Sequence, residues 1–207
     1  MNLVVLGATG GTGRLVVEQA LDAGHTVTAL VRSPEKLAIS NPNLRVVVGQ
    51  ATDPSAVARA LDGADALIST LGGGASVISD STRAIVEAAH KAGVSRVILL
   101  SSFLVERDRL NPVTRFLTGV AMGSMIKDKS AGEKALRESN LDWTIVYASS
   151  LTDGPSGGQV VVLTEKGRWT LSHRIPRADV ATWLLRAATS PETSRRTVSI
   201  TGQGVSK

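Results

Sequence analysis

Near the start of the chain, Gly7-Ala8-Thr9-Gly10-Gly11-Thr12-Gly13 combines glycines three residues apart with small hydroxyl side chains. The run follows the apolar stretch Leu3-Val4-Val5-Leu6 and precedes an amphipathic one beginning at Arg14. Glycine at a strand-to-helix junction permits a tight turn, lets the backbone approach a pyrophosphate, and allows the helix to pack close on the strand. The N-terminus of the helix adds free N–H groups and a favourable dipole for the anion. The spacing Gly7-x-x-Gly10-x-x-Gly13 departs from the commoner G-x-G-x-x-G form, yet in this context it predicts dinucleotide binding. Gly7, Thr9, Gly10, Gly11, Thr12 and Gly13 are the candidate contacts.

The end of the second strand, about 20 residues past the glycines, reports which dinucleotide is bound. An acid there holds a ribose 2′-hydroxyl. This chain instead carries Arg32, followed by Ser33 and Lys36, cationic and hydrogen-bonding groups suited to a 2′-phosphate. The expected cofactor is NADP(H). Asp53, in Gly49-Gln50-Ala51-Thr52-Asp53, has two readings: it reaches an adenine amino group, or, standing before Pro54, it caps a helix. Leu71 and Gly72 close a later strand where the backbone is free to approach a ligand. Ser101 and Ser102 end another, where they can hydrogen-bond the nicotinamide or its redox partner.

Alcohol and ketone chemistry commonly uses a tyrosine four residues before a lysine, the cation lowering the tyrosine pKa. Here the one tyrosine is Tyr147, and the residue four before Lys129 is Met125, so that dyad is absent. Hydride transfer without a strong protein acid suits an electron-poor conjugated ring, such as a flavin, quinone or linear tetrapyrrole, whose heteroatoms take up the charge. The protein then works by stacking and orienting the two rings. Lys129 and Glu133, four apart on a helical stretch, have two readings, facing the pocket or forming an exposed ion pair, and the ion pair is the preferred one. His25, His90 and His173 have no metal-ligand spacing, and with no cysteine in the chain no metal site is expected.

These residues need a scaffold, and the remaining pattern supplies one. Apolar runs of strand length alternate with amphipathic runs of helical length, the mark of βαβ units in a parallel sheet. Strands are expected at Leu3–Leu6, Thr26–Val31, Leu44–Val48, Ala64–Thr70, Arg96–Leu100, Trp143–Tyr147 and Thr197–Ile200. Helices are expected at Arg14–Ala23, Pro54–Leu61, Ser79–Ala92, Asp128–Ser139 and Arg177–Ala188, with a short one after Ser33. Gly72-Gly73-Gly74 reads as an open strand exit. Phe103 to Ile126, with Pro112, Gly119 and Gly123, reads as an irregular lid or substrate loop. Val160–Leu163 and Trp169–Leu171 read as a hairpin across Glu165-Lys166-Gly167-Arg168. The expectation is an α/β fold, one Rossmann-type doubly wound parallel sheet with helices on both faces, spanning 1–207 as a single domain with a small C-terminal substrate-side region.

At 43% apolar but only 3% aromatic residues, the core must be built mainly from Val, Leu, Ile and Ala, as buried parallel strands require. The net charge of +5 is scattered, and with few aromatics for base stacking it argues against a nucleic-acid partner. No apolar run approaches the roughly 20 residues of a membrane helix. With no export signal at the N-terminus, a soluble cytoplasmic protein is expected, working as a monomer or homodimer on a small molecule.

The glycine run, Val31-Arg32, Asp53 and Leu136-Arg137-Glu138-Ser139-x-Leu141 together resemble the NAD(P)H-binding group of the atypical short-chain dehydrogenase/reductase superfamily, over nearly the whole chain. Leu71-Gly72 and Ser101-x-Phe103-Leu104 are similar to its biliverdin reductase B, or NADPH-dependent flavin reductase, branch. The resemblance implies NADPH-dependent reduction, with Ser101 as the catalytic contact on the nicotinamide side and Phe103 and Ser150 at the substrate. Two positions depart from that branch: Ser150 falls where it has a pocket histidine, and Tyr147-Ala148 where relatives often carry Arg-Pro or Pro-Pro.

Overall fold

The computed structural model describes residues 1–73, 76–164 and 167–202. Eight strands form the main sheet: β1 (Asn2–Leu6), β2 (Thr26–Val31), β3 (Leu44–Val48), β4 (Ala66–Ser69), β5 (Arg96–Ser102), β6 (Asp142–Ala148), β8 (Val160–Leu163) and β10 (Arg196–Gly202). Their order is β3-β2-β1-β4-β5-β6-β10-β8. Every pairing is parallel except β8 on β10, which is antiparallel. Parallel neighbours need a crossover, and the helices α1 (Gly11–Asp22), α2 (Pro54–Leu61), α3 (Val77–Ala92), α4 (Pro112–Glu138) and α5 (Arg177–Thr189) provide most of them.

Alternation along β1 shows how the two layers arise. Successive side chains of a strand point to opposite faces. Leu3 and Val5 join a core with Val16, Val17 and Ala20 of α1 and Val180 and Leu184 of α5. Val4 and Leu6 join the opposite core with Val57 of α2, Ile85 of α3 and Leu136 of α4. The apolar run Leu3–Leu6 is therefore buried on both faces, and the expected doubly wound α/β architecture is the observed one.

Three regions differ from expectation. Phe103 to Ile126 is not an irregular loop: two short 3-10 turns, Phe103–Val105 and Arg107–Arg109, lead into α4, whose 27 residues absorb the helix expected at Asp128. The start of α4 is specified locally, because the Asn111 side chain accepts the Thr114 N–H at 2.8 Å and Pro112 occupies the first turn. The glycines that argued for a loop are carried inside the helix, beside a kink at Met122 (φ −131°, ψ 16°).

The expected hairpin is also replaced. Val160–Leu163 pairs with β10, and Trp169 bridges Leu110. An edge of the main sheet offers β8 more ladder than a short local partner would. Glu165 and Lys166 of the expected turn lie outside the described residues, as does Gly74. Finally, β7 (Ser150–Thr152) and β9 (Arg174–Pro176) form a small parallel ladder that brings Ser150 and the start of α5 together.

Candidate nucleotide cleft and buried carboxylate network

The glycine turn is a steric device. Gly7 sits at φ +82°, where an L side chain is strained, and its carbonyl accepts the Gly10 N–H at 2.9 Å. A Cβ on Gly13 would lie 2.1 Å from the Gly7 carbonyl oxygen and 2.6 Å from Thr70 Oγ1. Only glycine lets α1 begin this close to the ends of β1 and β4. Gly10 caps α1 without a side-chain hydrogen bond, which leaves the first N–H groups of α1 for a ligand.

Around this turn lie two clefts that share Gly10, Thr70, Leu71 and Gly72. The first, about 230 Å³, runs past Gly7 and Thr9 to Val31, Arg32 and Gln50. The second, about 380 Å³, runs from Gly11 and Thr12 past Ser101, Ser102 and Phe103 to Ser150 and Lys129. Together they follow the carboxyl edge of the sheet across the point where strand order reverses between β1 and β4, the usual ligand crevice of such sheets. A Cβ-excluding turn, an uncapped helix start and two adjoining clefts fit a dinucleotide with a redox partner at one end.

Two expected site residues line neither cleft. Gly13 acts through the packing just described. Asp53 accepts the Ser55 N–H at 2.9 Å and caps α2, so of its two readings the capping role is the observed one. Arg32 is exposed at the far end of the first cleft. Ser102 accepts the Leu104 N–H at 3.3 Å. Phe103 is 4% exposed and packs on Trp169, with ring centroids 5.2 Å apart.

Beneath the second cleft is a polar cluster that sequence reading missed. Glu133 is not part of an exposed ion pair with Lys129; it is 1% exposed. Its Oε1 accepts the Ser101 hydroxyl at 2.6 Å, and its Oε2 accepts the Tyr147 hydroxyl and, at 3.2 Å, the Arg137 guanidinium. Arg137 also donates to the Tyr147 oxygen at 3.0 Å. Three donors repay the desolvation of the carboxylate, which is why it is tolerated in the interior. Burial and the adjacent Glu133 carboxylate push the Tyr147 hydroxyl well above its ordinary pKa, against the pull of Arg137, so it stays protonated and donates. Lys129, 9% exposed, faces the second cleft, and burial lowers its pKa against the opposing pull of Glu133 and Asp128. The i, i+4 spacing of Lys129 and Glu133 was visible in the sequence, but which face of α4 is buried was not.

Arg177 is a further residue that the sequence did not single out. It crosses over Gly11, where a Cβ would lie 3.0 Å from Arg177 Cδ, and it pairs with Asp153 at 2.6 Å. Its position at the head of α5 puts a cation beside the uncapped start of α1.

The comparisons with known proteins agree with this geometry. A family model described as NAD(P)H-binding matches residues 7–191. The photosystem II assembly factor Ycf39 of Synechocystis is 28% identical over 98% of this chain, which spans 63% of that protein's length. The structure is similar to ChuY, an anaerobilin reductase from Escherichia coli O157:H7, with a TM-score of 0.84 and 26% identity over the whole of both chains. It also shares its fold with a short-chain dehydrogenase/reductase from Veillonella parvula in complex with NADP, with a TM-score of 0.86 and 18% identity over 100% of this chain and 96% of that one. Among the described residues no helix is long and apolar enough to cross a membrane. With the matched region running from the glycine turn to beyond α5, the chain belongs to this NAD(P)H-binding family.

Proposed function

We propose that the chain is an NADPH-dependent reductase of conjugated acceptors of flavin, quinone or tetrapyrrole type, acting as one NAD(P)-binding unit over 1–207. The observation that carries this reading is the adjacency of the two clefts along the glycine turn, the first lined by the exposed Arg32 and the second by Ser101 and Lys129. The glycine turn and the start of α1 would hold the pyrophosphate, with Arg177 as a second cation, and Arg32 would meet the 2′-phosphate. Bound in this way, the dinucleotide would supply the hydride for reduction of a conjugated ring held in the second cleft.

The chain's own part is to bind, orient and balance charge. Tyr147, held by Glu133 and Arg137 with its pKa raised, is no substitute for the missing tyrosine acid. The residue one helical turn before Lys129 is Met125. An acceptor that delocalises the incoming charge is therefore the chemistry that fits, with the Lys129 ammonium stabilising that charge from the cleft wall. The likeness to an anaerobilin reductase supports a conjugated, tetrapyrrole-like acceptor.

The test is oxidation of NADPH, and separately of NADH, with FMN, riboflavin, a quinone and biliverdin as acceptors. Turnover favouring NADPH, with Arg32→Ala losing about tenfold or more in NADPH affinity and little in NADH affinity, is the expected outcome. Equal loss for both cofactors would sink the 2′-phosphate assignment. The likeness to an assembly factor favours a second reading, a non-catalytic NADP(H)-binding redox sensor. Tight, redox-selective binding without turnover on any acceptor would select it.

A further inference from the structure

We propose that Glu133 turns Ser101 into an obligate hydrogen-bond acceptor toward the second cleft, so that the site selects rings presenting an N–H beside a carbonyl. The inference deepens the reductase reading and rests on it for the nature of the ligand. A serine hydroxyl has one proton. In Ser101 that proton is committed at 2.6 Å to Oε1 of Glu133, a carboxylate whose other oxygen is held by Tyr147 and Arg137. Arg137 keeps its protons and Tyr147 donates, so the cluster is a clamp that fixes direction and not a wire that passes protons. What Ser101 has left for the cleft are its lone pairs.

Lys129, on the same cleft, is the complementary group: an ammonium only donates. A ligand spanning the two must bring a donor to Ser101 and an acceptor to Lys129. Lactam and imide edges of conjugated rings do this, as in the pyrimidine ring of a flavin or the terminal ring of a linear tetrapyrrole. A quinone offers only carbonyl oxygens and leaves the Ser101 lone pairs, which are 6% exposed as a residue, without a partner. Glu133 is thus a positioning residue, acting on the ligand through Ser101.

A matched pair of probes tests this. Lumiflavin and its N3-methyl derivative share a ring and differ in one N–H, and their affinities for the NADP⁺-loaded protein can be read by flavin fluorescence, beside that of menadione. The expected result is that lumiflavin binds about tenfold tighter than its N3-methyl derivative, the ratio one buried hydrogen bond supports. In Ser101→Ala the ratio falls toward one, and in Glu133→Gln, whose amide oxygen is drawn to the Tyr147 and Arg137 donors so that its NH2 turns to Ser101 and frees that proton, menadione gains on lumiflavin. NADP⁺ affinity, read by intrinsic fluorescence, is measured in both variants so that each flavin ratio is taken on the cofactor-saturated protein.

A ratio near one in the unmodified protein, retention of the ratio in Ser101→Ala, or failure of both flavins to bind overturns the proposal. Loss of NADP⁺ affinity in place of the flavin ratio would also overturn it, because Ser101 would then serve the cofactor. If Glu133→Gln does not fold, Ser101→Ala decides alone. A preserved ratio in a protein that turns over no acceptor would reject the reductase reading and keep this one, so the two fail separately.

Discussion

The two halves of α4 invert the usual rule of burial. Before the kink at Met122, Val113, Phe116, Leu117 and Val120 are 68%, 69%, 58% and 75% exposed. After it, Asp128, Lys129 and Glu133 are 9%, 9% and 1% exposed. One helix therefore exposes four apolar side chains in its first half and, beside the buried Ile126 and Leu136, buries three charged ones in its second. The difference lies in what each half finds. The second half packs on α3 and β6, where polar groups wait: Glu133 meets Ser101, Tyr147 and Arg137, and the Asp128 carboxylate accepts the N–H groups of Ile78 and Ser79 at 2.9 and 3.0 Å. Those donors begin α3, whose own cap residue Ser76 sits at φ +65° without a side-chain cap. Asp128 caps a neighbouring helix across a tertiary contact. Charge is buried where partners satisfy it, and hydropathy alone does not decide.

Breaking the second half should cost most at Glu133. Glu133→Leu leaves the buried Ser101 and Tyr147 hydroxyls without their acceptor, while the exposed Arg137 can turn to water, and should destabilise by about 2–4 kcal/mol, read as a fall in the denaturation midpoint. A change under about 1 kcal/mol would mean that the cluster relaxes or hydrates freely. Asp128→Ala removes two charge-assisted bonds and should cost about 2 kcal/mol. Its pH dependence sharpens the point. Burial alone would raise the Asp128 pKa, but hydrogen bonds from Ser79 and Ile78, with Lys129 nearby, hold it below the ordinary carboxylate value. The stability it contributes is complete above the unfolded-state pKa and is lost as pH falls through the depressed folded value, so acid unfolding of Asp128→Ala should show a shallower loss over that window.

Lys129 should behave oppositely. Burial lowers its pKa, so the folded state holds its proton less tightly and stability rises with pH across the window between the folded value and the ordinary lysine value. Lys129→Met should change stability by no more than about 1 kcal/mol, in the favourable direction, while lowering acceptor turnover. Strong destabilisation would mean that this cation supports the cluster and is not held in reserve for a ligand. At the other end of α4, Phe116→Ser should alter stability by about 0.5 kcal/mol or less, because the ring already faces outward. A loss of several kcal/mol, measured by chemical denaturation, would show that the apolar stripe is covered.

Local rules carried the fold a long way. Strand-length apolar runs alternating with helical ones specify a doubly wound parallel sheet, because a strand covered on both faces has no polar positions to spare. The steric role of the Gly7–Gly13 turn was likewise legible, since it depends on its own backbone and on a fixed position in the βα unit. The N-terminus of α4 was specified too, by Asn111 and Pro112, but Gly119 and Gly123 masked it. Helix propensity is a weak local cost that packing overrides.

Tertiary structure alone decided the polar interior and the partner of β8. Nothing in the spacing of Lys129 and Glu133 says which face of α4 meets β5 and β6, or that Ser101 and Tyr147 would arrive from those strands with hydroxyls at the right depth. Likewise, β8 takes β10 and not its sequence neighbour because the free sheet edge is a property of the assembled sheet. Sequence determines what can be read from one strand, one turn or one cap; the directions of the hydrogen bonds around Glu133 exist only once α4, β5 and β6 are brought together, because each group's role is set by its partners.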